Sequence, residues 1–148
     1  MAISPEHLRD FAKRHASEHS DEVTLRAASS RSYYAAFHVL HSFAAQLPRS
    51  RKCPAGVTHV SHTELFERLS EWRTESNGVD LSALVPLKKK MLTALATART
   101  DRVRADYNMG AEVGLQEVSH QIDRVRKIID AAIKINNEAG RLRRVGPR

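Results

Sequence analysis

Residues 115–136 read LQEVSHQIDRVRKIIDAAIKIN. Leu115, Val118, Ile122, Val125, Ile129, Ala132 and Asn136 step by three and four residues throughout, which places them along one face of an α-helix. Polar and charged residues fill the positions between, so the segment reads as an amphipathic helix of bundle type over 112–139, with Gly140 expected just past its end. Its regularity exceeds what one short partner helix requires, and a homodimer through the long helices is expected.

Working back along the chain, Leu84, Leu87, Met91, Leu95, Ala98 and Arg102 repeat at the same spacing and predict a helix over 84–106, ending before Asn108-Met109-Gly110. Ser61 followed by Glu64 is a capping-box pattern, with Leu65, Phe66, Leu69 and Trp72 behind it as the buried face of a shorter helix over 61–73. Asn77-Gly78 marks a turn, and residues 48–59, PRSRKCPAGVTH, lack periodicity and read as an exposed loop. Val23, Ala27, Ser30, Tyr33, Phe37, Leu40, Ala44 and Leu47 predict a long helix over 21–47, stopped by Pro48. Ser4 as cap and Pro5 at the first helical position open a short N-terminal helix to about residue 17, with Leu8, Phe11, Ala12 and His15 on its apolar side. The expected fold is all-α: an antiparallel up-and-down four-helix bundle with an additional N-terminal helix, forming one domain over 1–140 and followed by a basic, flexible tail over 141–148.

The bulk properties agree with one globular domain. The chain has 148 residues, 41% hydrophobic and 28% charged, which is too apolar for a disordered segment. No apolar run approaches the roughly 20 residues of a spanning helix, and residues 1–10 lack the features of a secretory signal. Cys53 is the only cysteine, so there is no internal disulfide and no cysteine pair for a metal. These features point to a cytoplasmic location. The formal charge is +7, but four arginines lie in the last eight residues, so the body of the domain is only mildly basic. Such a charge permits an RNA partner without demanding one.

Two polar stretches could carry chemistry. In RAASSRSYYAAFHVLH, residues 26–41, Arg31, Tyr34, His38 and His41 share one helix face beside the apolar stripe. They read either as a satisfied network that sets helix register, or as a histidine beside a cation, the pairing that acid–base or phosphate chemistry needs. In RTDRVRADYNMG, residues 99–110, Arg99, Arg102 and Asp106 share a face near a helix C-terminus, where cations also interact favourably with the helix dipole. Tyr34, His38 and the Arg102–Tyr107 cluster are expected to meet in one cleft between the second and fourth helices. His59 and His62 flank the capping Ser61 and read as loop and cap histidines. Their spacing supplies no further metal ligands, so no metal and no cofactor are expected.

The segments RAASSRSYYAAFH (26–38), SHTELF (61–66) and RADYN (104–108), in this order, resemble the recurrent elements of HEPN domains, over roughly residues 20–137. The resemblance implies a helical bundle that commonly dimerises. It also implies a metal-independent ribonuclease of a toxin–antitoxin or phage-defence system, or a non-catalytic module that binds RNA or nucleotide or docks a nucleotidyltransferase. Active members of that family use an arginine followed four to six residues later by a histidine. Here the residues after Arg104, ADYNMGAEVG, contain no histidine, whereas Arg31 and His38 have six residues between them. On this reading Arg31, His38, Arg102 and Tyr107 are the candidate catalytic residues, and Tyr34, Arg104 and Asp106 contact RNA or nucleotide. RNA, a second copy of the chain, and an antitoxin or nucleotidyltransferase are the implied partners.

Overall fold

A computed structural model of the chain describes residues 2–44, 61–71, 75–76, 79–80 and 82–145. The loop over 48–59 with His59 and Cys53, the second helix beyond residue 44, Trp72, the Asn77-Gly78 turn and residues 146–148 lie outside the described residues. Within them stand five α-helices: α1 Pro5–His15, α2 Glu22–Ala44, α3 His62–Glu71, α4 Val85–Tyr107 and α5 Leu115–Val145. A two-residue antiparallel ladder, β1 Glu75–Ser76 with β2 Val79–Asp80, and a 3₁₀ turn over Ser82–Leu84 lead into α4. No helix among the described residues is long and apolar enough to cross a membrane.

The helix starts follow local chemistry. Ser4 Oγ accepts the His7 N–H at 3.4 Å, while the Ser4 N–H donates to His7 Nδ1 at 3.2 Å, so a histidine takes the role usually filled by Glu or Gln in a capping box. Asp21 Oδ1 accepts the Thr24 N–H at 2.8 Å to open α2, and Ser61 Oγ accepts the Glu64 N–H at 3.1 Å to open α3.

The helices form a bundle centred on α2, which packs against α1, α3, α4 and α5. Contacts of Ser30 with Asp106 and of Tyr34 with Arg102 show that α2 and α4 run antiparallel. The larger core cluster joins Tyr33, Phe37 and Leu40 to Leu65, Leu69, Met91, Leu95, Val125, Ile128 and Ile135. A smaller one, Ala12, Leu25, Ala28, Val113 and Val118, closes the end where α2 and α5 begin. Because four neighbours surround α2, its buried residues spread around most of its circumference and include Ser29, Ser30 and Ser32. Val23, expected on the buried stripe, is exposed, and Ser32 satisfies its hydroxyl on the Ser29 carbonyl at 2.9 Å.

In α5 the three–four spacing holds, and Val118, Val125, Ile129 and Ala132 are buried as expected, while the seam moves by one position from Ile122 to Gln121 and from Asn136 to Ile135. The buried positions are Val118, Gln121, Val125, Ile128 with Ile129, Ala132, Ile135 and Ala139, while Asn136 is exposed. Gln121 is fully buried because its Nε2 donates to the Ala98 carbonyl at 2.8 Å and its Oε1 accepts from Arg124 at 2.8 Å. Gly140 does not end the helix. Ala139 is buried on the core side and Arg141 pairs with Glu138, which hold this turn, so α5 runs on to Val145 and takes residues 141–145 into its backbone.

Candidate functional site

The α2–α4 interface carries a polar seam. Arg102, on α4, donates from Nη2 to the Tyr34 hydroxyl at 2.6 Å. Its Nε lies 2.8 Å from Asp106 Oδ2, off the line of the N–H, so this contact is an ion pair rather than a directed hydrogen bond. Asp106 Oδ2 also accepts from Ser30 Oγ at 3.2 Å. The Arg102 guanidinium sits 5.1 Å from the Tyr34 ring centre and 5.4 Å from that of Tyr107. Burial pulls the Arg102 pKa down, but Tyr34 and Asp106 outweigh it and leave the group above its ordinary value. With a side chain only 12% exposed, Arg102 is a permanent charge whose partners lie within the fold.

Beside this seam, α2, α3 and α4 form a cleft of about 500 Å³ lined by Tyr33, His62, Phe66, Arg99, Thr100 and Val103, together with Leu95 and Ala96. The Tyr33 hydroxyl and His62 Nδ1 share a hydrogen bond at 2.7 Å, and the His62 ring also packs on Phe37, 4.4 Å between centres. Burial pushes the Tyr33 phenol up to about 12, against the opposing pull of Arg99 and Arg102, so it keeps its proton at neutral pH. This bond holds the imidazole at the wall of the cleft that Arg99 also lines. Arg99 is exposed and makes no hydrogen bond or ion pair among the described residues. On its other side Arg99 borders a depression with Glu67 and Glu71, which leaves the Tyr33–His62 side as the one suited to an anion.

Of the residues singled out from the sequence, Tyr34, Arg102, Asp106 and Tyr107 come together. His38 is exposed on α2, its ring 6.4 Å from that of Tyr34. Arg31 is exposed and unpaired among the described residues. Arg104 does not join the cleft: it turns to the start of α5, donating to the Glu112 carbonyl at 2.9 Å and pairing with Glu117 at 3.0 Å. His62 is more than a cap histidine, since α3 lays it against Tyr33 across 29 residues of sequence, a contact no local pattern announces. Arg26 serves the frame rather than the cleft. Its guanidinium donates to the carbonyls of Ala105 at 2.9 Å, Asn108 at 3.1 Å, Arg104 at 3.4 Å and Ala111, and to Glu22, thereby closing the C-terminal end of α4.

Compared with family models, with curated proteins and with solved structures, the chain matches none of them.

Proposed function

We propose that this chain is a HEPN-like helical module that binds RNA through the cleft between α2, α3 and α4, recognising phosphate with Arg99 and His62 and presenting Phe66, Val103 and Tyr107 to bases. The observation that carries this reading is the Tyr33–His62 hydrogen bond at the wall of a cleft whose exposed arginine makes no hydrogen bond or ion pair among the described residues. An imidazole beside an exposed guanidinium is a pairing that suits a phosphate oxygen. The expected catalytic pair gives weaker support to cleavage, because Arg31 and His38 stay exposed on α2 while Arg102 is tied to Tyr34 and Asp106.

Metal-independent ribonuclease activity, in a toxin–antitoxin or phage-defence setting, is the second reading. One observation favours it: Arg99 and His62 line the same cleft, where Arg99 can stabilise charge on a phosphorane and His62 can transfer a proton. Fluorescence anisotropy with labelled single-stranded RNA tests the first reading. Arg99→Gln is expected to weaken binding about tenfold and to lower the salt slope by about one. Affinity unchanged in Arg99→Gln overturns the assignment of the cleft. RNA cleavage in the presence of EDTA that is lost in His62→Ala replaces binding by the nuclease reading.

A further inference from the structure

On the face of the bundle away from α3, a cavity of about 160 Å³ opens between α1, α2 and α5. Buried Ala12, Ser32 and Val125 form its walls, and Arg9, Lys13, Ser119, Asp123 and Arg126 surround its mouth. It is smaller than the roughly 300 Å³ at which pockets for drug-sized ligands begin, and holds about five waters at ~30 Å³ each.

The charges around this mouth do not balance. Asp123 is the only carboxylate lining it, and it is already shared by Arg126 at 2.6 Å and Lys127 at 3.0 Å. Hydrogen bonds from these two cations hold the Asp123 carboxyl below its ordinary pKa, so it stays ionised and paired. Arg9 and Lys13 make no hydrogen bond or ion pair among the described residues. Lys13, in the last turn of α1, is favourably placed for the helix dipole, but Arg9 in the middle of the helix has no such reason. Glu6 on the same helix feels Arg9 only as a lesser influence after its Ser4 hydrogen bond, and forms no ion pair with it. Two cations four residues apart on one helix face repel each other. Arg126 on α5 also borders the opening, with its charge already matched by Asp123.

We infer that this cavity is a binding site for a phosphate group, with Arg9 and Lys13 as the charged contacts from α1 and the Ser119 hydroxyl as a neutral donor. An anion there relieves the Arg9–Lys13 repulsion and occupies donors that are left unused among the described residues. The size of the cavity admits the phosphate of a nucleotide or of an RNA backbone while its base stays outside. The site is separate from the α2–α3–α4 cleft and does not depend on what that cleft does.

Titration of the full chain with inorganic phosphate at constant ionic strength, followed by amide chemical shifts, tests this inference. Saturable shifts confined to residues 9–13, 32 and 119–126 are expected. Arg9→Gln, at a half-buried helical position and with the fold checked by circular dichroism, is expected to weaken the apparent affinity about tenfold, and Lys13→Gln to weaken it less. Adenosine 5′-monophosphate and a 5′-hydroxyl oligoribonucleotide then distinguish a terminal phosphate from a backbone one. Shifts that do not saturate, that chloride reproduces, or that persist unchanged in both variants overturn the proposal.

Discussion

Replacing Arg26 by methionine keeps the aliphatic stem and removes the guanidinium that reaches from α2 to the end of α4. Its side chain is 11% exposed, and its N–H groups reach four backbone carbonyls between residues 104 and 111. Two of these bonds, at 2.9 and 3.1 Å, have good length, and the one to Arg104 at 3.4 Å is marginal. A charge-assisted bond to a carbonyl contributes about 1.5 kcal/mol net, so the well-formed bonds together supply about 3 kcal/mol. The ion pair with Glu22 adds a few tenths, because that carboxylate is half-exposed. Urea unfolding monitored by circular dichroism should therefore show Arg26→Met destabilised by about 3 kcal/mol, with a melting temperature lower by roughly 6–12 °C for a domain of this size. Arg26→Lys, which restores charge but not the fork, should recover less than half. A loss below about 1 kcal/mol in Arg26→Met would refute the reasoning and show that water satisfies these carbonyls equally well.

Three further outcomes follow from buried polar groups. Tyr33, pushed up to about 12, keeps its proton in the fold after an unfolded chain has lost it near pH 10, so stability is unaffected below pH 10 and falls as pH rises toward 12. The fall attributable to this group is roughly 2 kcal/mol, and it should be absent from Tyr33→Phe in a comparison of denaturant midpoints across that window. Glu64→Gln leaves the buried Arg68 guanidinium without the carboxylate at 2.7 Å, costing about 3 kcal/mol; the double variant Glu64→Gln/Arg68→Met should regain at least half of that in chemical unfolding. Gln121→Leu preserves volume but removes the bond to the Ala98 carbonyl, and a loss of about 1–2 kcal/mol is expected by thermal unfolding, with a gain in stability contradicting the role given to this side chain.

The helices were legible because apolar spacing, capping residues and prolines act locally. Ser4, Asp21 and Ser61 each accept a backbone N–H three residues on, so their effect is visible within one turn. The stripe of α4 read correctly at Met91, Leu95 and Ala98, where apolar side chains carry it, whereas the buried Lys88 gave no such signal. The seam of α5 read correctly at Val118, Val125, Ile129 and Ala132 but not at Gln121, which looks like a surface residue until Ala98 and Arg124 are beside it. In the candidate site the Arg102–Asp106 pair spans a single helical turn and was readable, and Tyr34 followed from the shared face. Arg104 was misplaced because a residue two positions from Arg102 points to another side of the helix, toward α5.

What this chain determined by itself is therefore the type and order of its helices and the composition of one polar seam. Such features depend on interactions within a few residues, or on a periodicity that any neighbour must respect. Which polar groups meet was decided only in three dimensions. Tyr33 and His62 are joined across 29 residues, Arg26 reaches carbonyls about 80 residues away, and Arg9 is brought to a cavity shared with α5. The physical reason is that a buried hydrogen bond or an unbalanced charge is defined by its surroundings, and those surroundings exist only once α1, α3, α4 and α5 have packed around α2.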